Sequence, residues 1–283
     1  TYKVFYIGPG SLWRALDAER QNIDACLDAA MTDAALNTVF KQYFDQQTVC
    51  TNVIPSALVN PDMKWPPCVG RQDFKKWILM LYDNNELLEK GSSYEDYQSF
   101  AVLFVCPPGT ILDDTGDGGG GSGNARLDPD ATHGNSLSKG IGGFHSFFTN
   151  VDGRTIYYAV STWSDGQNGA AVPGPTPGAE GWPPWKNVCA ALYHELAEIR
   201  TNPDVACEGK ADWYQDTKGK PNDGPEIGDL PILYGIHQCQ QPARYFREID
   251  VNGLKSNDGK APIELLWSND DNEPWHPHRA AEP

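Results

Sequence analysis

Apolar and polar residues follow two periods along this chain, and each change of period marks an element. The opening TYKVFYIG is a β-branched and aromatic run closed by GPG, which predicts a strand and a turn. From Ser11 to about Phe44 the period lengthens: Leu12, Leu16, Ile23, Leu27, Ala34 and Phe40 fall at helical spacing with Asp and Glu opposite, so a long helical stretch is expected. A second helix is expected near Gln72 to Lys90, where DFKKWILMLYDNNELLEK keeps the same period. SFAVLFVCPPG is a continuous apolar run stopped by two prolines, the pattern of a strand buried on both faces. IGGFHSFF and RTIYYAVSTW predict two more strands. Pro183 and Pro184 then open a helix that runs to Thr201 and stops before Asn202 and Pro203.

Between these elements lie stretches that cannot form core. Asp113 to Asp130, DDTGDGGGGSGNARLDPD, is expected as an exposed loop; its Asp and Gly residues suit calcium, but EF-hand spacing is absent. A Gly/Pro-rich connector, DGQNGAAVPGPTPGAEGWPP, precedes the last helix, and no internal repeat is present.

Composition narrows the functional classes. With 283 residues, 40% apolar and 11% aromatic, the chain can bury a substantial core. A formal charge of -16 repels phosphate backbones and anionic lipid, which argues against nucleic-acid and membrane partners. No apolar run approaches the roughly 18 residues of a membrane span. The chain begins without a charged-then-apolar leader, so a signal peptide is expected to have been removed or never included. The seven cysteines contain no CxxC, which leaves core thiols or up to three disulfides. Cys106 and Cys189 lie in apolar stretches, whereas Cys50, Cys68, Cys207 and Cys239 sit in polar sequence where a bridge, and hence export, is expected.

The last helix carries the chemistry. It contains HELAE, one letter from the HExxH of zinc peptidases, and its core stripe is Trp185, Val188, Leu192, Leu196 and Ile199. His194 and Glu198 fall roughly 200° and 240° from Leu192, away from that stripe, with Glu195 at the flank. Side chains at i and i+4 can close on one ion, and Glu195 stands where HExxH enzymes keep the general base that deprotonates the attacking water. The competing reading is a solvated helix face.

HELAEIRTNPDV, Trp213–Tyr214 and PEIGDL at 225 to 230 together resemble the Exordium, or phosphate-induced, protein family of plants and related secreted bacterial proteins with an HExxE helix. Upstream, the PPG at 107 to 109, the Gly-Phe-His at 143 to 145 and the YYAV strand also resemble the bacterial members. One departure is Pro231, where the family usually has a cysteine. The resemblance implies a metal site and export more than it implies catalysis; apoplastic growth signalling is the plant family's known role.

The expected fold is therefore α+β and zincin-like: a twisted mixed sheet on long helices, with a metal in a cleft beneath an edge strand, over a single domain 1–283. Within it, 1–95 holds the first strand and helices, 96–250 the sheet, HExxE helix and EIGD element, and 251–283 a tail. In helical zincins the third ligand comes from downstream of the motif, which points to Glu226, with Asp229 orienting a ligand; both could instead cap a loop or hold calcium. His145 is a reserve ligand or a structural histidine, Trp213 and Tyr214 a substrate platform or loop packing, and His276 and His278 part of the terminus. The expected function is a secreted zinc metallopeptidase acting on peptide or protein, with Glu195 as base. The alternatives are a catalytically silent metal-stabilised protein of the Exordium type and a cytosolic enzyme with seven free thiols. A His/Glu/Glu set leaves a divalent ion neutral, which weakens its Lewis acidity, and its oxygen donors relax the preference for zinc toward manganese or calcium.

Overall fold

The computed structural model describes residues 1–43, 50–52, 56–59, 66, 68–88, 96–97, 99–113, 142–163, 181–203, 226–231, 245–270 and 272–275. In chain order its strands are β1 (Tyr2–Ile7), β2 (Ala57–Val59), β3 (Cys68–Gly70), β4 (Ala101–Cys106), β5 (Ile111–Asp113), β6 (Gly143–Thr149), β7 (Thr155–Thr162), β8 (Phe246–Asp250), β9 (Lys260–Glu264), β10 (Trp267–Ser268) and β11 (Glu273–Pro274). Its α-helices are α1 (Gly10–Ala15), α2 (Asp17–Thr32), α3 (Arg71–Asp83) and α4 (Pro184–Thr201). The class is mixed α/β, of the α+β kind.

Five strands form the main sheet in the order β2-β1-β4-β7-β6, parallel throughout except for β6, which runs antiparallel to β7 at the edge. Both faces are covered, which is why β1 and β4 read as continuous apolar runs. The two-residue period divides them cleanly. Tyr2, Val4 and Tyr6 with Ala101, Leu103 and Val105 join the core beneath α2 and α4, whereas Phe5, Ile7, Val102, Phe104 and Cys106 pack beneath Phe74, Ile78 and Leu81 of α3. The result is three layers, with α2 and α4 side by side on one face and α3 on the other.

The first helical stretch is not continuous. The chain breaks at Leu16, between α1 and α2, and again at Asp33, whose Oδ1 accepts from the backbone N–H groups of Ala35 and Leu36 at 2.8 and 3.0 Å. A carboxylate that takes local N–H groups ends one helix and starts another turn, here the 3-10 segment Leu36–Gln42. The second helix also stops early, at Asp83, because Asn85 takes a left-handed φ of 57°. Residues after 250, expected as a tail, instead supply β9, β10 and β11. Ala261, Ile263, Leu265 and Trp267 belong to the core that includes α4.

Cys26, Cys50, Cys106 and Cys189 are buried free thiols, so Cys50 is no longer a bridge candidate. The Cys68 side chain, Cys207, Cys239, Trp213, Tyr214, His276, His278 and the loop from 114 to 130 lie outside the described residues. No helix among the described residues is long and apolar enough to cross a membrane.

Candidate metal centre

Helix α4 begins with Pro184, whose fixed φ suits a first turn, and ends at Thr201, where Asn202 leaves helical geometry at φ -140° and ψ 63°. Val188, Leu192 and Leu196 pack inward as the wheel requires. The opposite face is not solvated, however: β9 and the turn at 226–231 cover it, leaving Glu198 2% and Glu195 7% exposed. Ile227 and Leu230 anchor that turn in the core, and the Trp267 N–H donates to the Ile227 carbonyl at 2.9 Å.

These covers bring carboxylates to His194 from three directions. Its Nε2 lies 3.1 Å from Glu198 Oε1, one helical turn away, and 3.9 Å from Asp229 Oδ1. Its Nδ1 lies 2.8 Å from Oε2 of Glu264, the last residue of β9. Gly228 makes the approach of the turn possible. A Cβ there would sit 2.6 Å from His194 Nδ1 and 2.9 Å from Glu198 Oε1, and the Gly228 N–H donates to that same oxygen at 3.2 Å.

His145 arrives by strand alternation. On β6 it pairs with Ala159 of β7, which faces the α4 layer, while Phe144 points to the α3 layer. Its Nδ1 is 3.2 Å from Glu195 Oε2 and 3.3 Å from Glu198 Oε2, and its Nε2 is 3.5 Å from Glu226 Oε1. Glu226 is also bonded by the Asn202 amide at 2.5 Å. Gly143, two residues before His145, gives Glu195 room, since a Cβ there would lie 2.9 Å from Glu195 Oε1.

Among the described residues, two groups of side chains therefore have the spacing to hold a metal ion: His145 with Glu195 and Glu198, and His194 with Glu198 and Asp229. Glu198 belongs to both, one oxygen facing each histidine. Donors 2.0–2.1 Å from a tetrahedral ion stand about 3.3 Å apart. The 3.1 Å pair of His194 and Glu198 meets this, and Asp229 at 3.9 Å needs only a small side-chain movement.

The electrostatics reflect five carboxylates, Glu195, Glu198, Glu226, Asp229 and Glu264, crowded around two imidazoles. Burial alone would push both histidines down. Glu226, Glu195 and Glu198 outweigh it at His145, and Glu198 and Glu264 outweigh it at His194, so both are held well above the ordinary value. Burial would raise Glu198, but His194 and His145 draw it well below the carboxylate range. Burial dominates elsewhere, raising Glu195 and Glu264, and lifting Glu226 to about 8. Burial within the cluster and the Glu198 charge also raise Asp229, an upward shift that water tempers because 49% of its side chain is exposed.

The structure thus gathers His194, Glu198, Glu195, His145, Glu226 and Asp229 into one cluster, but it divides them differently from the sequence expectation. Asp229, not Glu226, faces His194, while Glu226 faces His145. Sequence reasoning missed Glu264, Gly228 and Asn202. Glu264 did leave a signal, an acidic residue inside the apolar run APIELLW. No protein-family model, no curated protein and no solved structure matches the chain.

Proposed function

We propose that the chain is a metal-dependent hydrolase of the peptidase kind, with the ion held by His194, Glu198 and Asp229 and with Glu195 as general base. One observation carries the reading. His194 Nε2 meets Glu198 Oε1 at 3.1 Å and Asp229 Oδ1 at 3.9 Å, close to the separation of donors that share one tetrahedral ion. The antiparallel edge strand β6 beside α4 supports a zincin-like arrangement, and the resemblance to Exordium-type proteins supports the metal and an extracellular setting. Zinc is the first choice for a tetrahedral nitrogen-and-oxygen set, with manganese or calcium admitted by the oxygens.

An ion at that position supplies Lewis acidity toward a water and a substrate carbonyl. Glu195 accepts a proton as the water oxygen attacks the carbonyl carbon, then returns it to the departing nitrogen. His145 steadies Glu195 by the 3.2 Å contact, and Gly143 leaves its other oxygen unobstructed by a side chain. One imidazole and two carboxylates cancel a divalent charge, so turnover is expected to be slow or favoured at alkaline pH.

A second reading draws on the other group. An ion on His145, Glu195 and Glu198 would occupy the base and leave a silent, metal-stabilised binding or signalling protein. Glu195→Gln separates the two. In the hydrolase it keeps bound zinc and abolishes cleavage of a denatured protein substrate; in the silent protein it lowers zinc content, and wild type cuts nothing between pH 6 and 10.

A further inference from the structure

Strand β9 ends on a carboxylate in surroundings that do not favour one. Ala261, Ile263, Leu265 and Leu266 around it are buried and apolar, and Glu264 itself is 2% exposed. Among the described residues its Oε1 has no hydrogen-bond partner, and its Oε2 meets His194 Nδ1 at 2.8 Å. A buried carboxylate satisfied on one side only costs free energy that a leucine would not. A compensating role has to come through His194.

The helix alone does not supply that role. The ring torsion of a histidine is broad and roughly two-fold, so α4 fixes where His194 starts but not which nitrogen faces Glu198. We propose that Glu264 is the positioning residue of the metal centre, holding His194 with its proton on Nδ1 and its Nε2 turned toward Glu198 and Asp229. The β8–β9 hairpin, far from HELAE in sequence, is then part of the centre. Gly228 completes the device, because only a residue without Cβ lets the turn close beside the same Nδ1 edge. An ionised acceptor on Nδ1 also strengthens Nε2 as a donor toward a cation. The inference rests on the metal reading above.

The test is calorimetric zinc titration of chelator-stripped wild type, Glu264→Gln and Glu264→Leu, with circular dichroism confirming the fold of each. Nitrogen NMR of the zinc-free imidazoles, above the pH at which His194 becomes neutral, reads the tautomer. Glu264→Gln keeps the shape and is expected to bind zinc about ten- to a hundred-fold more weakly, with the Nδ1–H form of His194 no longer dominant. A change that only perturbed packing would leave the tautomer untouched. Equal zinc affinity and tautomer in wild type and folded Glu264→Gln overturn the inference while leaving the metal reading standing. A wild type that takes up neither zinc nor manganese overturns the metal reading, and this inference with it.

Discussion

Glu226 and Asp229 are three residues apart, and reach alone would choose the longer one as ligand. The backbone decides otherwise. Gly228 brings the turn so close to α4 that the short Asp229 lies 3.9 Å from His194 Nε2, while Glu226 extends past it to Asn202 and His145. Such a close approach cannot be read from spacing, because it depends on the absence of a Cβ at one contact. Asp229→Ala is therefore expected to weaken zinc binding at least about ten-fold, comparable to losing an outer partner or more. Glu226→Ala should weaken it less, since it removes a neighbour of His145. Titration of both variants decides the matter, and the reverse order would return the role to Glu226.

At the scale of elements, what was legible followed from period. β1, β4, β7 and α4 appear where the apolar pattern put them, since a two-residue or 3.6-residue stripe has one way to bury itself. The break after Thr32 was not legible, because it comes from the side chain of Asp33 competing for backbone N–H groups. β9 was missed because its charged ends and Pro262 dilute the alternation. Helix α2 holds a second carboxylate at odds with its place. Asp24, partly buried, accepts the Tyr6 hydroxyl at 3.0 Å, and burial raises it from 3.8 to about 6 despite that bond. Between pH 4 and 6 the folded chain thus binds more protons than the unfolded one, so this group's contribution to stability falls as pH rises through that window. Asn keeps an acceptor for Tyr6 without the charge. Asp24→Asn should gain about 1–3 kcal/mol at pH 7 to 8 and almost nothing at pH 4. Urea midpoints at the two pH values test this, and an equal gain at both would remove Asp24 as the cause.

On the scale of the whole molecule, the candidate centre joins parts distant in sequence: β6 gives His145, α4 gives His194, Glu195 and Glu198, the 226–231 turn gives Asp229, and β9 gives Glu264. Order along the chain foretold a mixed sheet on helices and the HELAE helix, but neither that α3 would pack on the opposite face of the sheet nor that the C-terminal hairpin would close over the centre, because those contacts are tertiary and the second leaves only one acidic residue in an apolar run. A site assembled from four segments links ligand binding to global stability. An ion bound only by the folded chain adds about 2.7 kcal/mol when its concentration is a hundred times Kd. For a chain of 283 residues each kcal/mol shifts the melting temperature by about 1.5–2 °C. Excess zinc should therefore raise the midpoint by about 4–5 °C over the chelator-stripped protein, and Asp229→Ala should lose most of that rise. If the cluster were only a buried ion-pair network, its imidazolium and carboxylate contacts would be complete without a metal. Scanning calorimetry with and without chelator would then give coincident midpoints, and that result would end the metal reading.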